Sequence, residues 1–266
     1  MQEERLAGLR RSLARIETEG RGTAPSRPFT LGLPEIDGAL GGGLPRAALH
    51  EVFAIRSGDS AAASGFGLGL ALRSGERGRK IIWVRQDMAA HDQGELNPIG
   101  LLEFGGDPEA MLLVRTPDAL ATLRAGNEAL RCAALGAVVI EIWGTPKILD
   151  LTATRRLSHA AAQSGIGVFL IRSAAEPHPS AAMSRWGVRA LASLPLEAGA
   201  PGAPRFAIDL LRHRAGFPSR CWHVEWDRDQ LAFRPPALSR AVAAASADRS
   251  PASASRTPET EWRHAG

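Results

Sequence analysis

Ala48-Leu49-His50-Glu51-Val52-Phe53-Ala54-Ile55 leads into Arg56-Ser57-Gly58-Asp59-Ser60-Ala61-Ala62-Ala63-Ser64-Gly65, and then into Phe66-Gly67-Leu68-Gly69-Leu70-Ala71-Leu72. The first run reads as a buried strand, the second as a turn of small residues, the third as a helix. Strand, Gly-rich turn and helix have the frame of a phosphate-binding loop, in which backbone N–H groups at a helix N-terminus cradle the anion. A working loop follows its last Gly with Lys, which reaches the β- and γ-phosphates, and with Ser or Thr, which holds Mg²⁺. Here Gly65 is followed by Phe66 and Gly67, so both side-chain functions are missing.

Outward from this stretch, strand and helix patterns alternate. Candidate strands are 49–55, 80–85, 111–115, 137–143, 166–172, 190–195, 206–213 and 221–226. Five of them are short and continuously apolar, as strands covered on both faces should be. Helical patterns fall at 66–74, 100–105, 117–135 and 149–164. The third has Thr116 as a candidate N-cap, Pro117 at the first helical position and Asp118 in the first turn. The alternation predicts an α/β fold with a mostly parallel twisted sheet flanked by helices. The last strands follow one another without helices, which predicts an antiparallel C-terminal extension.

The ends differ from this core. Residues 1–22 place Leu6, Leu9, Leu13 and Ile16 at helical spacing, an amphipathic helix that is either part of the core or a docking arm. Residues 23–28 read as a linker, 29–236 as the core, and 237–266 as an Ala/Ser-rich disordered tail interrupted by Pro251 and Pro258. With 44% apolar and 23% charged residues in 266, the chain has the composition of a soluble globular protein. No apolar run approaches the roughly 20 residues of a membrane span, and Met1-Gln2-Glu3-Glu4-Arg5 does not open a signal peptide. The net charge of +4 is carried almost wholly by Arg, since Lys80 and Lys147 are the only lysines. A basic balance is compatible with nucleic-acid binding but weak evidence for it. Cys132 and Cys221 lie far apart and read as reduced thiols. His91 and His178 have no partner at metal-ligand spacing, and no Ser-His-Asp arrangement is evident.

Thr30-Leu31-Gly32-Leu33-Pro34-Glu35-Ile36-Asp37-Gly38-Ala39-Leu40-Gly41-Gly42-Gly43-Leu44-Pro45, with Glu51 just downstream, resembles the opening of the RecA family's ATPase core. The similarity continues at lower stringency to about Asp227. Within that superfamily the broken loop, the basic N-terminal helix and the 206–226 ending look most like the ImuA family. Its members are RecA-like partners of the inactive polymerase homologue ImuB in damage-induced mutagenesis.

The resemblance implies a RecA-like fold and argues against hydrolysis. Gly58, Ser64 and Gly65 frame the degenerate loop, Phe66 takes the place of the phosphate-reaching Lys, and Gly67 that of the Mg²⁺-holding Thr. Glu141, closing Val138-Val139-Ile140, replaces the Walker B Asp; Asp87 replaces the catalytic Glu; Arg172 replaces the nucleotide-sensing Gln. Preorganised phosphate stabilisation is the bulk of phosphoryl-transfer catalysis, so the implied protein is a pseudo-ATPase with no catalytic residue, cofactor or metal.

Arg212 and Arg214, followed by Phe217-Pro218, resemble the basic pair that RecA proteins present to a neighbouring protomer's ATP. Alternation on a strand points both to one face. The segment from Ser173 to Gly187 sits where RecA carries a mobile DNA-binding loop, so Arg185, Trp186 and Arg189 are candidate single-stranded DNA contacts. The loop at 144–147, which also faces DNA in the family, is very short here. The implied partners are ImuB, an error-prone polymerase through ImuB, a RecA filament and single-stranded DNA, with no membrane. The implied location is the cytoplasm, at the nucleoid during DNA damage. A DNA-dependent ATPase using Glu141 and Asp87 and a SulA-like cell-division inhibitor are the alternatives.

Overall fold

In the computed structural model, which describes residues 27–75 and 78–237, nine strands form one sheet. The helix expected over 1–22 and the tail beyond residue 237 lie outside the described residues. The strands are β1 (Leu49–Ala54), β2 (Lys80–Gln86), β3 (Met111–Thr116), β4 (Leu135–Trp143), β5 (Gly167–Ser173), β6 (Ser184–Leu191), β7 (Arg205–His213), β8 (Cys221–Asp227) and β9 (Ala232–Arg234). Their order is β3-β2-β4-β5-β1-β6-β7-β8-β9. Pairing is parallel from β3 to β6 and antiparallel from β6 to β9. The mostly parallel sheet with an antiparallel C-terminal extension is the architecture read from the alternation.

The main α-helices are α1 (Pro34–Ala39), α2 (Ser60–Ser74), α3 (Asp87–Gln93), α4 (Pro98–Glu103), α5 (Ala119–Ala129) and α6 (Leu151–Ser164). Alternation along each central strand supplies two cores. On one face Val52, Trp83, Val139, Ile171 and Trp186 pack with Phe66 and Leu70 of α2. On the other, Leu49, Val84, Ile140 and Leu170 pack with Leu123 of α5 and Leu157 of α6. Helices on both faces explain why the central strands are continuously apolar.

Three boundaries depart from the sequence reading. Helix α5 starts at Ala119 and not at 117, because Asp118 is the N-cap: its Oδ1 accepts from Ala121 N at 2.8 Å. Thr116 instead ends β3 and shares a hydroxyl bond with Thr122 at 2.7 Å. The strand expected at 190–195 is β6, which begins at Ser184. Its core face is set by Trp186, which falls within the expected loop, and by Val188, which precedes the expected strand start.

The third departure matters most. Helix α2 begins at Ser60, so the presumed turn up to Gly65 is mostly helix, as the strong helix propensity of Ala61-Ala62-Ala63 favours. Its internal glycines serve close packing. A Cβ at Gly67 would lie 2.9 Å from Ile171 Cδ1, and one at Gly69 would lie 2.7 Å from Phe233 Cζ. Glycine lets this helix settle onto the sheet.

His50 on β1 shows how tightly this face is specified. Trp186 Nε1 donates to Ser184 Oγ (2.9 Å), Ser184 Oγ lies 2.7 Å from His50 Nδ1, and His50 Nε2 lies 2.9 Å from Pro45 O. Since Pro45 O can only accept, Nε2 carries the proton and Nδ1 accepts from Ser184. Charging the ring would turn Nδ1 into a second donor onto a hydroxyl that already accepts from Trp186.

Burial, opposed by the Pro45 carbonyl and aided by His213, pushes the His50 pKa down from 6.5 to about 4. The unfolded chain therefore binds more protons than the folded one between these values, and stability is lost as pH falls from 6.5 towards 4. The linked loss is on the order of 3 kcal/mol. Urea midpoints measured across this window should fall, and His50→Gln should flatten the slope. An identical slope in the variant would remove His50 as its source.

Candidate functional site

Asp87, Glu141 and Arg172 lie at the C-terminal ends of β2, β4 and β5, the edge at which open α/β sheets bind ligands. Between β1 and α2 the chain makes one short 3₁₀ turn, Ser57–Asp59. Asp59 is buried at the start of α2; its Oδ1 accepts from Ala190 N at 2.9 Å and its Oδ2 from Arg56 N at 3.1 Å. Ser60 Oγ donates to Ser57 O at 2.9 Å. A carboxylate is thus built in at the helix end whose dipole would otherwise favour a bound anion.

Phe66 and Gly67 are not at this mouth, which corrects the position expected for them. The residues that open α2 are Ser60 and Ala61, and neither brings a cation. Phe66 lies on the second turn and is fully buried, with its ring 5.1 Å from that of Phe233, 5.6 Å from Trp186 and 6.3 Å from Phe206. Gly65 packs beside Phe206 and Phe104, and Gly58 alone faces open space. The Lys function is missing in either register, and the one hydroxyl at the helix opening, Ser60 Oγ, is turned onto Ser57 O.

Glu141 on β4 is fully buried, and both carboxylate oxygens are engaged. Trp83 Nε1 donates to Oε2 (3.0 Å), Ser64 Oγ donates to Oε1 (3.4 Å), and Arg85 Nε lies 2.8 Å from Oε2. Burial raises the carboxyl's pKa, while Arg85, Trp83 and Ser64 pull it back. The Arg85 guanidinium is itself fixed by Gly94 O (2.6 Å) and Ala89 O (3.3 Å) on the loop and helix that follow β2. Arg85 was not among the candidates read from sequence. The available signal was a charge closing the apolar run Ile81-Ile82-Trp83-Val84, and once β2 and β4 pair, Arg85 stands in register with Glu141.

This donor set does not fit Mg²⁺. A metal wants several oxygen ligands, whereas the one carboxylate here is held by a guanidinium, an indole N–H and a hydroxyl. Asp87, half exposed at the start of α3, is paired with Arg115 instead: Arg115 Nε donates to it at 2.7 Å, and Arg115 also bridges to Glu95.

Arg172 lies elsewhere. Alternation along β5 puts it on the opposite face from Glu141, with Glu51 and Phe53. Its Nη2 donates to Gly144 O (3.1 Å), its Nη1 lies 4.0 Å from Glu51 Oε1, and its Cζ stands 5.6 Å from the Phe53 ring centroid. Burial, opposed by Glu51 and assisted by Arg185, pushes it down to about 10. The sheet therefore separates two buried ion clusters, Glu141–Arg85 and Glu51–Arg172–Arg185, and puts Glu141 and Arg172, expected at one nucleotide site, on opposite faces.

The DNA-loop candidates are corrected too. Trp186 is fully buried against Phe66 and Trp222, so it offers no stacking surface. Arg185 is buried, donating from Nε to Glu51 Oε2 at 2.9 Å and to Ser180 Oγ at 3.3 Å. Arg189 is half-buried and pairs with Asp209 at 3.2 Å. The short loop at 144–147 starts against Arg172, whose Nη2 donates to the Gly144 carbonyl. Arg212 and Arg214 do come together, both exposed and lining one cleft at the end of β7.

Among the described residues no group of three His, Cys, Asp or Glu converges on a metal position, and no helix is long and apolar enough to cross a membrane. Neither a family model nor a curated protein matches the sequence.

Proposed function

We propose that the chain is a non-catalytic adaptor on a RecA-like sheet, acting in SOS-induced, error-prone translesion DNA synthesis. It docks ImuB, and through ImuB an error-prone polymerase, while the Arg212–Arg214 corner is offered to a RecA protomer. One observation carries the non-catalytic part: Arg85 and Glu141 form a buried ion pair where a catalytic carboxylate would need to meet Mg²⁺. Asp59 at the opening of α2 supports it, since a triphosphate there would face a fixed negative charge. The pathway and partners rest on the resemblance of 30–45 and Glu51 to the RecA family and of the whole pattern to the ImuA family.

The test uses the full-length chain with ATP, Mg²⁺ and single-stranded DNA, alongside co-purification with ImuB. The expected result is no turnover above background, unchanged in Glu141→Gln, together with a stable ImuB complex. ATP turnover that disappears in a folded Glu141→Gln variant would make the protein an ATPase. Binding to the cell-division GTPase in place of ImuB would move it to the SulA-like reading.

A further inference from the structure

On the α5–α6 side of the sheet, β7 runs past the last residue pair it shares with β8, Asp209 with Cys221. The projecting end, helix α6 and the segment 179–182 enclose a cleft of about 550 Å³. Arg155, Ser158 and His159 enter it from α6, Arg212 and Arg214 from the end of β7, and Ser180 lies at its base. Among the described residues lining it there is no Asp or Glu. Arg155 and Arg212 are exposed and engage no carboxylate among the described residues. Like charges gathered in one concave site raise its potential and draw in a counter-anion.

The base of the cleft adds to that potential. Ser180 Oγ donates to Glu51 Oε2 at 2.6 Å, tying the segment to the buried Glu51–Arg172–Arg185 cluster. There one carboxylate faces two guanidiniums, leaving an excess of positive charge beneath the cleft. Within it Arg172 Nε, Arg172 Nη1, Arg185 Nη2 and Glu51 Oε1 are buried without hydrogen-bond partners, so the excess charge rests on the count of two guanidiniums against one carboxylate. Planar guanidinium forks match phosphate oxygens in geometry as well as in charge.

We propose that Arg155, Arg212 and Arg214, with Ser158, His159 and Ser180, form a phosphate-binding pocket. Its ligand is a phosphate group carried either by a nucleotide or by the backbone of a single-stranded nucleic acid. The pocket goes beyond the Arg212–Arg214 pair and does not depend on ImuB as partner, so its failure leaves the adaptor reading standing and the converse holds too.

The test titrates the full-length protein at low salt with a labelled oligothymidine, with ATP and with pyrophosphate. It compares wild type with Arg155→Gln/Arg212→Gln and with the control Arg124→Gln/Arg156→Gln in the neighbouring α5–α6 groove. All four arginines are exposed, so both pairs should fold like wild type. The expected result is tenfold or greater weakening in the first variant and little change in the control. Oligothymidine binding without ATP binding assigns the pocket to backbone phosphates, and the salt slope should then fall by about 1.4 in the variant. ATP or pyrophosphate binding without oligothymidine binding assigns it to a nucleotide. Binding of both classes, each weakened in the variant, assigns a site common to them. Absence of binding by every probe, or equal weakening by the control pair, overturns the proposal.

Discussion

Replacing Phe66 by lysine is expected to unfold the protein and not to restore a phosphate contact. In the linear motif Phe66 follows the last glycine of the loop, where lysine is the residue that a nucleotide site requires. In the fold it is fully buried on the second turn of α2, within a cluster of Trp186, Phe206 and Phe233. Losing the ring alone costs about 3–5 kcal/mol. The ammonium would then have to deprotonate or drag water into an aromatic core, and a stranded buried charge adds several kcal/mol more. Against a typical domain stability of about 5–15 kcal/mol, this sum removes most or all of the folded population. Phe66→Leu, which keeps apolar volume, should lose only about 1–2 kcal/mol. Thermal unfolding of the two variants side by side is the measurement. A folded Phe66→Lys protein that gained ATP binding would put residue 66 at the mouth of the loop and overturn the register of α2.

The same residue shows how far the sequence could be read. Hydrophobic runs and their alternation with helical patterns were enough for the sheet, its parallel centre and its antiparallel end, because burial on both faces leaves a one-dimensional signature. The missing Lys function was equally legible, since neither register of the loop places a lysine at the helix opening. Where α2 starts was not. Ser60 to Ser64 are small residues that serve a turn or a helix, and the choice falls to packing of Gly67 on Ile171 and Gly69 on Phe233, contacts distant in sequence. Trp186 and Arg185 were misplaced for a related reason. A Trp and an Arg in a polar stretch suit a DNA-facing loop, yet pairing of β6 with β1 turns one into the aromatic core and the other onto Glu51. Arg85 was missed because its meaning is two-dimensional: only the pairing of β2 with β4 sets it opposite Glu141. The division of charged residues into clusters on the two faces follows from the same alternation, but it becomes visible only once strand order is known.

The Arg85–Glu141 pair can be weighed by a double-mutant cycle whose sign separates a structural pair from a catalytic carboxylate. Removing Arg85 as Arg85→Met leaves the Glu141 carboxyl buried with only Trp83 and Ser64 as donors, and breaking such a pair costs about 3–5 kcal/mol. Its carboxyl then shifts further upward and takes up a proton, so the variant should lose stability as pH rises through that raised value. Removing Glu141 as Glu141→Leu strands the Arg85 guanidinium and should cost a similar amount. The double variant Arg85→Met/Glu141→Leu leaves no buried charge. Its remaining penalty is the indole N–H of Trp83 and the Gly94 and Ala89 carbonyls losing a partner, about 1–3 kcal/mol. It should therefore be more stable than either single variant, with a coupling of several kcal/mol read from urea midpoints. A carboxylate kept for catalysis behaves in the opposite way, because active-site charges are commonly held at a cost and their removal raises stability. Glu141→Leu more stable than wild type, or single effects that simply add in the double variant, would separate Glu141 from Arg85 and reopen the site to chemistry.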